Sequence, residues 1–212
     1  MTLPQPLAPK PKAVTIKGQP YNLVAFYYPG SPTAWDLVFQ AEFLANFYKC
    51  SITLTINGIT ATFNNSEAAF QATKWWDIPK YRTQFEATTW PHVTGAEAFD
   101  LKKDLPDSVN NYAGLGPLGA MKAVLTAKFS DPVLRQALRD TGDAYLLEHN
   151  VPHRKDPGGW SDLHDGRKAN DPLGTTLNML GKTLMEVRHD CGGVGAPAGN
   201  YAVADFSAHA EK

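Results

Sequence analysis

The 212-residue sequence predicts an α+β fold, predominantly helical, in a single domain with a small antiparallel β-hairpin or sheet. Three observations carry this expectation. Residues 51–63, SITLTINGITATF, alternate Ile52, Leu54, Ile56 and Ile59 about Asn57-Gly58, which is the mark of two short strands joined by a tight turn. Apolar residues recur at helical spacing in 118–129, 132–140 and 173–188. Between the hairpin and those helices, residues 64–77, NNSEAAFQATKWWD, read as a capped helical run.

Composition narrows the class further. Hydrophobic residues at 43% and aromatic residues at 11% supply a sizeable core and exclude wholesale disorder. With 20 Lys and Arg against 21 Asp and Glu, the formal charge is −1, so a nucleic-acid partner has to be recognised by a local pocket rather than a global basic surface. Cys50 and Cys191 are far apart and form no disulfide framework, which suits a reducing interior. The opening MTLPQPLAPKPK lacks the apolar centre of a signal peptide, and no run reaches membrane-spanning length. The expectation is a soluble, intracellular protein, cytoplasmic or nuclear, with no membrane association and no obligate protein partner.

In chain order, residues 1–20 are expected as a flexible arm, rich in Pro at its start, residues 21–190 as the body, and the Gly/Ala-rich residues 191–212 as a loosely held tail. Val14–Lys17 and Leu23–Tyr28 are β-prone, and residues 29–35 are loop. In EFLANFYKC, Asn46 stands between Phe43 and Phe47; it either reads a ligand's polar edge or stabilises a turn. Asn65 or Ser66 caps the next helix, and Pro79 ends it. Glu67, Phe70, Gln71 and Lys74 share one face of that helix, which makes either a site or a solvated face bearing charges. Residues 79–117 are irregular, with a short helix over 96–103, and a loop of that length in a compact domain often covers a site. Two scaffold helices follow at 118–129 and 132–140, the second capped by Ser130 or Asp131 and ended by Gly142. TGDAYLLEHN runs into a polar segment, and a last helix spans 173–188.

His149, His153 and His164 lie near Asp156, Asp162 and Asp165, but none has the HExxH spacing of a zinc helix, and no metal or other cofactor is expected. There is no GxSxG elbow, Walker loop or dinucleotide fingerprint. What remains is Glu67 with Lys74, and Asp156 to Trp160, each a polar group flanked by aromatic residues. Trp160 either stacks on a base or sugar ring or anchors its loop over the core.

Seven pieces in order resemble the NADAR family of N-glycosidases over about residues 22–190: FLANFY, the NG hairpin, SEAAFQATKW, MKAVLTAKF, DPVLRQALRDTGDAYLLEH, GGWSD and NMLGKTLMEVR. The family's Asn between aromatics matches Asn46, and its Glu-bearing helix matches Ser66, Glu67, Phe70, Gln71 and Lys74. Its glycine-loop Asp and Trp match Asp156 and Trp160, with Asp162 nearby; its final helix matches Asn178 and Arg188. The resemblance implies a lysine that attacks the anomeric carbon and forms a Schiff base, with Lys74 in that position. Glu67 then moves protons or stabilises positive charge at the sugar, and Asp156 is the second acid–base candidate. Substrate-binding roles fall to Phe43, Asn46, Phe47, Phe70, Gln71, Trp160, Asp162 and Asn178, with Arg188 either facing a diphosphate or closing its helix. The chain departs from riboflavin-pathway members, which carry a Trp where it has NNYAGLG; Tyr112 is the residue available in its place. The Asp156–Trp160 spacing is one residue longer than usual, and the following loop is longer as well. The implied activity is removal of ADP-ribose from guanosine in DNA or RNA. Hydrolysis of ribosylamino riboflavin intermediates, and silent binding of ADP-ribose or nucleic acid, are the alternatives.

Overall fold

Asn57 and Gly58 adopt φ of 51° and 76°, the doubly left-handed turn whose twist matches a two-residue hairpin. It joins β3 (Ile52–Ile56) to β4 (Ile59–Phe63) in antiparallel register, Ile56 opposite Ile59 and Ile52 opposite Phe63. Ile52, Leu54, Ile56 and Phe63 are buried, while Thr53 and Thr62 pair at 3.1 Å, and Thr55 and Thr60 at 2.9 Å, on the exposed face. The computed structural model describes residues 3–29, 33–106, 110–151, 158–162, 177–199 and 202–211. Its architecture is α+β, and the chain divides into two compact units, residues 1–5 with 46–134 and residues 6–45 with 135–212.

In the first unit the hairpin delivers the chain into α2 (Ser66–Thr73). Asn65 caps it: the Ala68 amide donates to Asn65 Oδ1 at 2.8 Å, and the Asn65 amide group donates to the Val93 carbonyl at 3.0 Å. All eight residues of α2 are buried, which overturns the alternative of a solvated face. The helix is covered by the hairpin, by α4 (Gly95–Leu101) and by α5 (Gly116–Lys128). After it, Trp76 donates to the Ile56 carbonyl at 2.9 Å and Trp75 stacks on Phe85 at 6.0 Å and 4°. The irregular 79–117 stretch holds α3 (Pro79–Arg82) and α4, whose Thr94–Glu97 capping box starts it one residue before the expected 96. α6 (Pro132–Asp140) is capped by Asp131 Oδ1, which accepts from the Val133 and Leu134 amides at 2.8 and 3.0 Å.

The second unit is built on a mixed sheet of order β1-β2-β5. β1 (Lys12–Ile16) pairs antiparallel with β2 (Gln19–Phe26), so the flexible arm expected over residues 1–20 ends by residue 11. Lys17 and Gly18, with φ of 49° and 78°, make a second tight turn, and buried Val14 and Ile16 hold β1 to the core. β5 (Tyr145–Glu148) pairs parallel with β2 and was not expected as a strand. Tyr145, Leu146 and Leu147 are all buried, and a strand covered on both faces shows no alternation to read. α1 (Ala34–Phe39), also unexpected, starts at the end of the 29–35 loop under a Thr33–Asp36 capping box. The tail expected over 191–212 carries α8 (Val203–Ala210), whose Phe206 stacks on Tyr145 at 4.0 Å and 7°. That stacking ties α8 to the sheet, so this part of the tail is packed rather than loose.

The last long helix, α7 (Met179–Asp190), begins later than residue 173 because Asn178 is left-handed at φ 57°. It lies against β5 at Gly181, where a β-carbon would run into the Leu146 carbonyl oxygen and the Asn178 amide. Gly181→Ala is therefore expected to lower the unfolding free energy by about 3 kcal/mol, because neither obstacle can move without breaking β5 or the Asn178 network. A thermal melt with unchanged midpoint would disprove this close approach.

Candidate active site

The α2 face seen in the sequence becomes a buried polar cluster in the first unit. Glu67 is 6% exposed, Gln71 2% and Lys74 9%. The Gln71 amide group donates to Glu67 Oε1 at 2.6 Å. Burial raises the Glu67 carboxyl above its ordinary value, opposed by that hydrogen bond and by the charges of Lys102 and Lys74. The Glu67 amide donates to the Asn46 carbonyl at 3.0 Å, so the chain around Asn46 is fixed beside the start of α2. Asn46 Oδ1, Ser66 Oγ, Gln71 Oε1 and Asn110 Oδ1 are buried with no hydrogen-bond partner among the described residues. An orphaned buried oxygen is costly, and four in one unit fit a ligand that supplies donors. Phe47 is half-buried against Gly95, where only glycine leaves room for the Phe47 ring.

Lys74 closes α2, its amide donating to the Gln71 carbonyl at 3.1 Å. Its Nζ lies 6.0 Å from the Trp75 ring and 5.7 Å from the Tyr112 ring. Tyr112 in turn lies 5.6 Å from Phe70 at a 36° tilt, so Trp75 and Tyr112 flank the amine and Phe70 backs Tyr112. Tyr112 is held there by an unusual backbone. Tyr112, Ala113 and Gly114 have φ of 50°, 56° and 78°, three left-handed residues in a row. Each non-glycine residue in that region costs about 1–2 kcal/mol. The turn is clamped by the Ala113 amide to Asn111 Oδ1 at 2.9 Å, by the Asn57 amide group to the Ala113 carbonyl at 3.3 Å, and by the Asn111 amide to the Lys74 carbonyl at 3.0 Å. Strain of this kind collects at functional sites.

Two groups of this unit were not expected from the sequence. Lys102 acts on Glu67 although it lies 35 positions away along the chain, beyond any local motif. Lys128 is wholly buried between the Tyr48 and Phe129 rings, 5.8 and 5.4 Å from their centroids, and its amine is lowered by burial to about 8.

The other expected site residues belong to the second unit, except Asp156, which lies outside the described residues together with His153, His164 and Asp165. Phe43 is buried in a short 3-10 turn, Glu42–Leu44. Trp160 is half-buried, and its carbonyl accepts the Leu180 amide at 3.1 Å, which fixes its segment at the start of α7. Asp162 is fully buried and accepts from the Asn150 amide at 2.9 Å and the Ser207 hydroxyl at 2.7 Å, and bonds His149 Nδ1 at 2.5 Å. These bonds tie the end of β5 and α8 to the 160–162 segment. Asn178 is spent in the fold: its Oδ1 accepts the Glu148 amide at 2.9 Å, and its amide group donates to the Tyr145 hydroxyl at 3.1 Å and the Leu146 carbonyl at 2.9 Å.

Arg188 is fully buried and does not face a diphosphate. Its guanidinium donates to the carbonyls of Ala144, Val194 and Gly195 at 2.9, 2.7 and 2.7 Å and to the Thr141 hydroxyl at 2.8 Å. Burial lowers it to about 10, with Asp143 opposing. Arg188→Ala is expected to cost about 3–5 kcal/mol of stability, since it strands several buried acceptors. Chemical denaturation reads this directly, and an unchanged midpoint would return Arg188 to the list of ligand-binding candidates.

No family model matches the chain. A riboflavin biosynthesis protein of Vibrio vulnificus is 32% identical over 146 residues, 68% of this chain. The chain spans 36% of the length of that relative. The NMR structure of the Escherichia coli protein YbiA resembles the fold with a TM-score of 0.55 at 25% identity, covering 80% of this chain and 84% of the other. The two similarities agree with the resemblance to the NADAR family read from the sequence. The Glu67–Lys74 helix that carried the resemblance is the buried α2, and the Tyr112 ring lies 5.7 Å from the Lys74 amine. Among the described residues no helix is long and apolar enough to cross a membrane.

Proposed function

We propose that the protein is an N-glycosidase that cleaves the bond between ADP-ribose and guanosine in DNA or RNA. The observation that carries this reading is Glu67, buried with its carboxyl raised, on one helix with Lys74, whose amine lies near the Tyr112 and Trp75 rings. A carboxyl raised by burial keeps its proton to higher pH than a solvated glutamate does, which suits it to proton transfer. Once its ammonium has given a proton to solvent, the Lys74 amine attacks the anomeric carbon while the C–N glycosidic bond breaks, and the departing base takes a proton from Glu67. The lysine's own proton passes to the carboxylate left behind. Opening of the ribosyl ring gives an imine, and water hydrolyses it to free sugar and regenerated lysine. The orphaned oxygens of Asn46, Ser66 and Gln71 fit sugar hydroxyls, which are the donors they lack. Asp156 remains the second acid–base candidate from the resemblance.

Incubation with an ADP-ribosylated guanosine oligonucleotide, followed by mass analysis, tests the reading. Loss of the ADP-ribose mass with catalytic turnover is expected; an unchanged oligonucleotide at high enzyme concentration rejects this substrate. The riboflavin-pathway alternative is favoured by one observation of its own, the name of the Vibrio vulnificus relative. The same Lys74 and Glu67 chemistry serves a ribosylamino intermediate, so that substrate belongs in the same experiment as a parallel arm.

A further inference from the structure

Gln71 stands one helical turn after Glu67, so the two side chains meet on one face of α2. The contact is close: Gln71 Nε2 donates to Glu67 Oε1 at 2.6 Å, and both residues are buried. An ionised carboxylate only accepts, so the Gln71 amide has to turn its nitrogen toward Glu67 and its oxygen away. That oxygen is buried and has no hydrogen-bond partner among the described residues. Glu67 Oε2 likewise takes no hydrogen bond from a described residue, so the carboxyl is bonded at one oxygen and open at the other. The start of the helix is held by the Asn65 cap and by the Glu67 amide, which donates to the Asn46 carbonyl at 3.0 Å.

We propose that Gln71 is the positioning residue of the acid: it occupies Glu67 Oε1, so that the transferable proton rides on Oε2, and it offers its own oxygen to a donor on the substrate. Substrate hydroxyl, Gln71 amide and Glu67 carboxyl then form one hydrogen-bonded row. Each bond in such a row polarises the next, so a donor arriving at the Gln71 oxygen strengthens the hold of its amide on Glu67. That hold favours the charged form of the carboxyl, and the acid gives up its proton more readily once the substrate is in place. The balance at Glu67 has the same sense, since burial raises the carboxyl and the Gln71 hydrogen bond is the first of the influences that lower it. The charges acting there are Lys102 from α4 and Lys74 from the end of α2; the hairpin strands packed beside the helix carry no titratable residue. The proton's destination, the departing base, rests on the glycosidase reading; the pairing with Gln71 does not.

The test is Gln71→Met, which fills similar space without the amide. Carboxyl-carbon NMR of the whole chain should show the Glu67 midpoint move up from wild type, because a bond to the charged form has been lost. The charges of Lys102 and Lys74 are common to both proteins and cancel in the comparison. Turnover should fall about 10- to 100-fold, the scale for a residue that orients a catalytic group, and the alkaline limb of the rate should move up with the carboxyl. A substitution that merely loosened the fold would lower the rate and leave the limb in place, and that result overturns the proposal. An unmoved or lowered Glu67 midpoint overturns it too. Wild type supplies a check that needs no variant. The side-chain amide signals of Gln71 should shift with pH at the same midpoint as the Glu67 carboxyl, and signals indifferent to that titration would reject the pairing. A protein in which Gln71→Met raises the Glu67 midpoint but which releases no base would sink the glycosidase reading and leave the Gln71 pairing standing.

Discussion

Lys74→Ala should lose turnover by about 10⁴- to 10⁶-fold, the range seen when a nucleophile is removed from an enzyme. The amine is the only atom in the α2 cluster assigned to form the covalent bond, and alanine leaves α2 intact because the helix is capped by Asn65 and packed through Ala68, Ala69 and Ala72. Lys74→Arg should be equally inactive, since a guanidinium stays protonated and cannot attack. Borohydride added during turnover should trap the sugar on wild-type protein, and peptide mapping should place the adduct on Lys74. The informative rival is Lys128, whose amine is lowered to about 8. That value makes it chemically competent, but it is fully buried against Tyr48 and Phe129. An adduct on Lys128, or near-normal rates in Lys74→Ala, would move the nucleophile away from α2.

The parts of this molecule that were legible in the sequence are those governed by local rules. The Asn57-Gly58 turn is found as read, and of the two cap candidates offered for each helix the structure uses Asn65 and Asp131, choices that need only a few neighbouring residues. β5 was missed because a short strand buried on both faces looks like any apolar run, and its partner β2 is more than a hundred residues away. The start of α7 was misplaced because the stripe of leucines continues past a left-handed Asn178 that tertiary bonds to Tyr145, Leu146 and Glu148 hold in place. Site residues divide in the same way. Glu67, Gln71 and Lys74 share a helix and could be seen together, whereas the charge of Lys102 is brought to bear on Glu67 by the packing of α4 on α2. Asn178 and Arg188 show the opposite failure: polar residues in a recognisable motif whose bonding capacity is consumed by the fold.

Glu67→Gln is expected to separate activity from stability. Glutamine keeps the shape and can still accept from the Gln71 amide group, but it moves no proton, so the rate should fall about 10²- to 10⁴-fold. Stability should change in the other direction. The Glu67 carboxyl is raised from its ordinary 4.5, chiefly by burial, so between that value and the raised one the folded state binds more protons than the unfolded state. Stability therefore falls as pH rises through this window, and the loss persists above it. The substituted amide has no proton to lose, so the variant should gain stability relative to wild type at neutral pH, and the gain should vanish below about 4.5, where the carboxyl of wild type is protonated both folded and unfolded. The same titration shapes the rate. As a proton donor to the departing base, Glu67 should give wild type an alkaline limb set by its raised carboxyl, and the residual activity of the variant should lack that limb. Paired melts and rate profiles across pH check both halves. A variant less stable than wild type at neutral pH would mean that the carboxylate's attraction to Lys102 and Lys74 outweighs its burial, and a retained alkaline limb would pass the proton-donor role to another group.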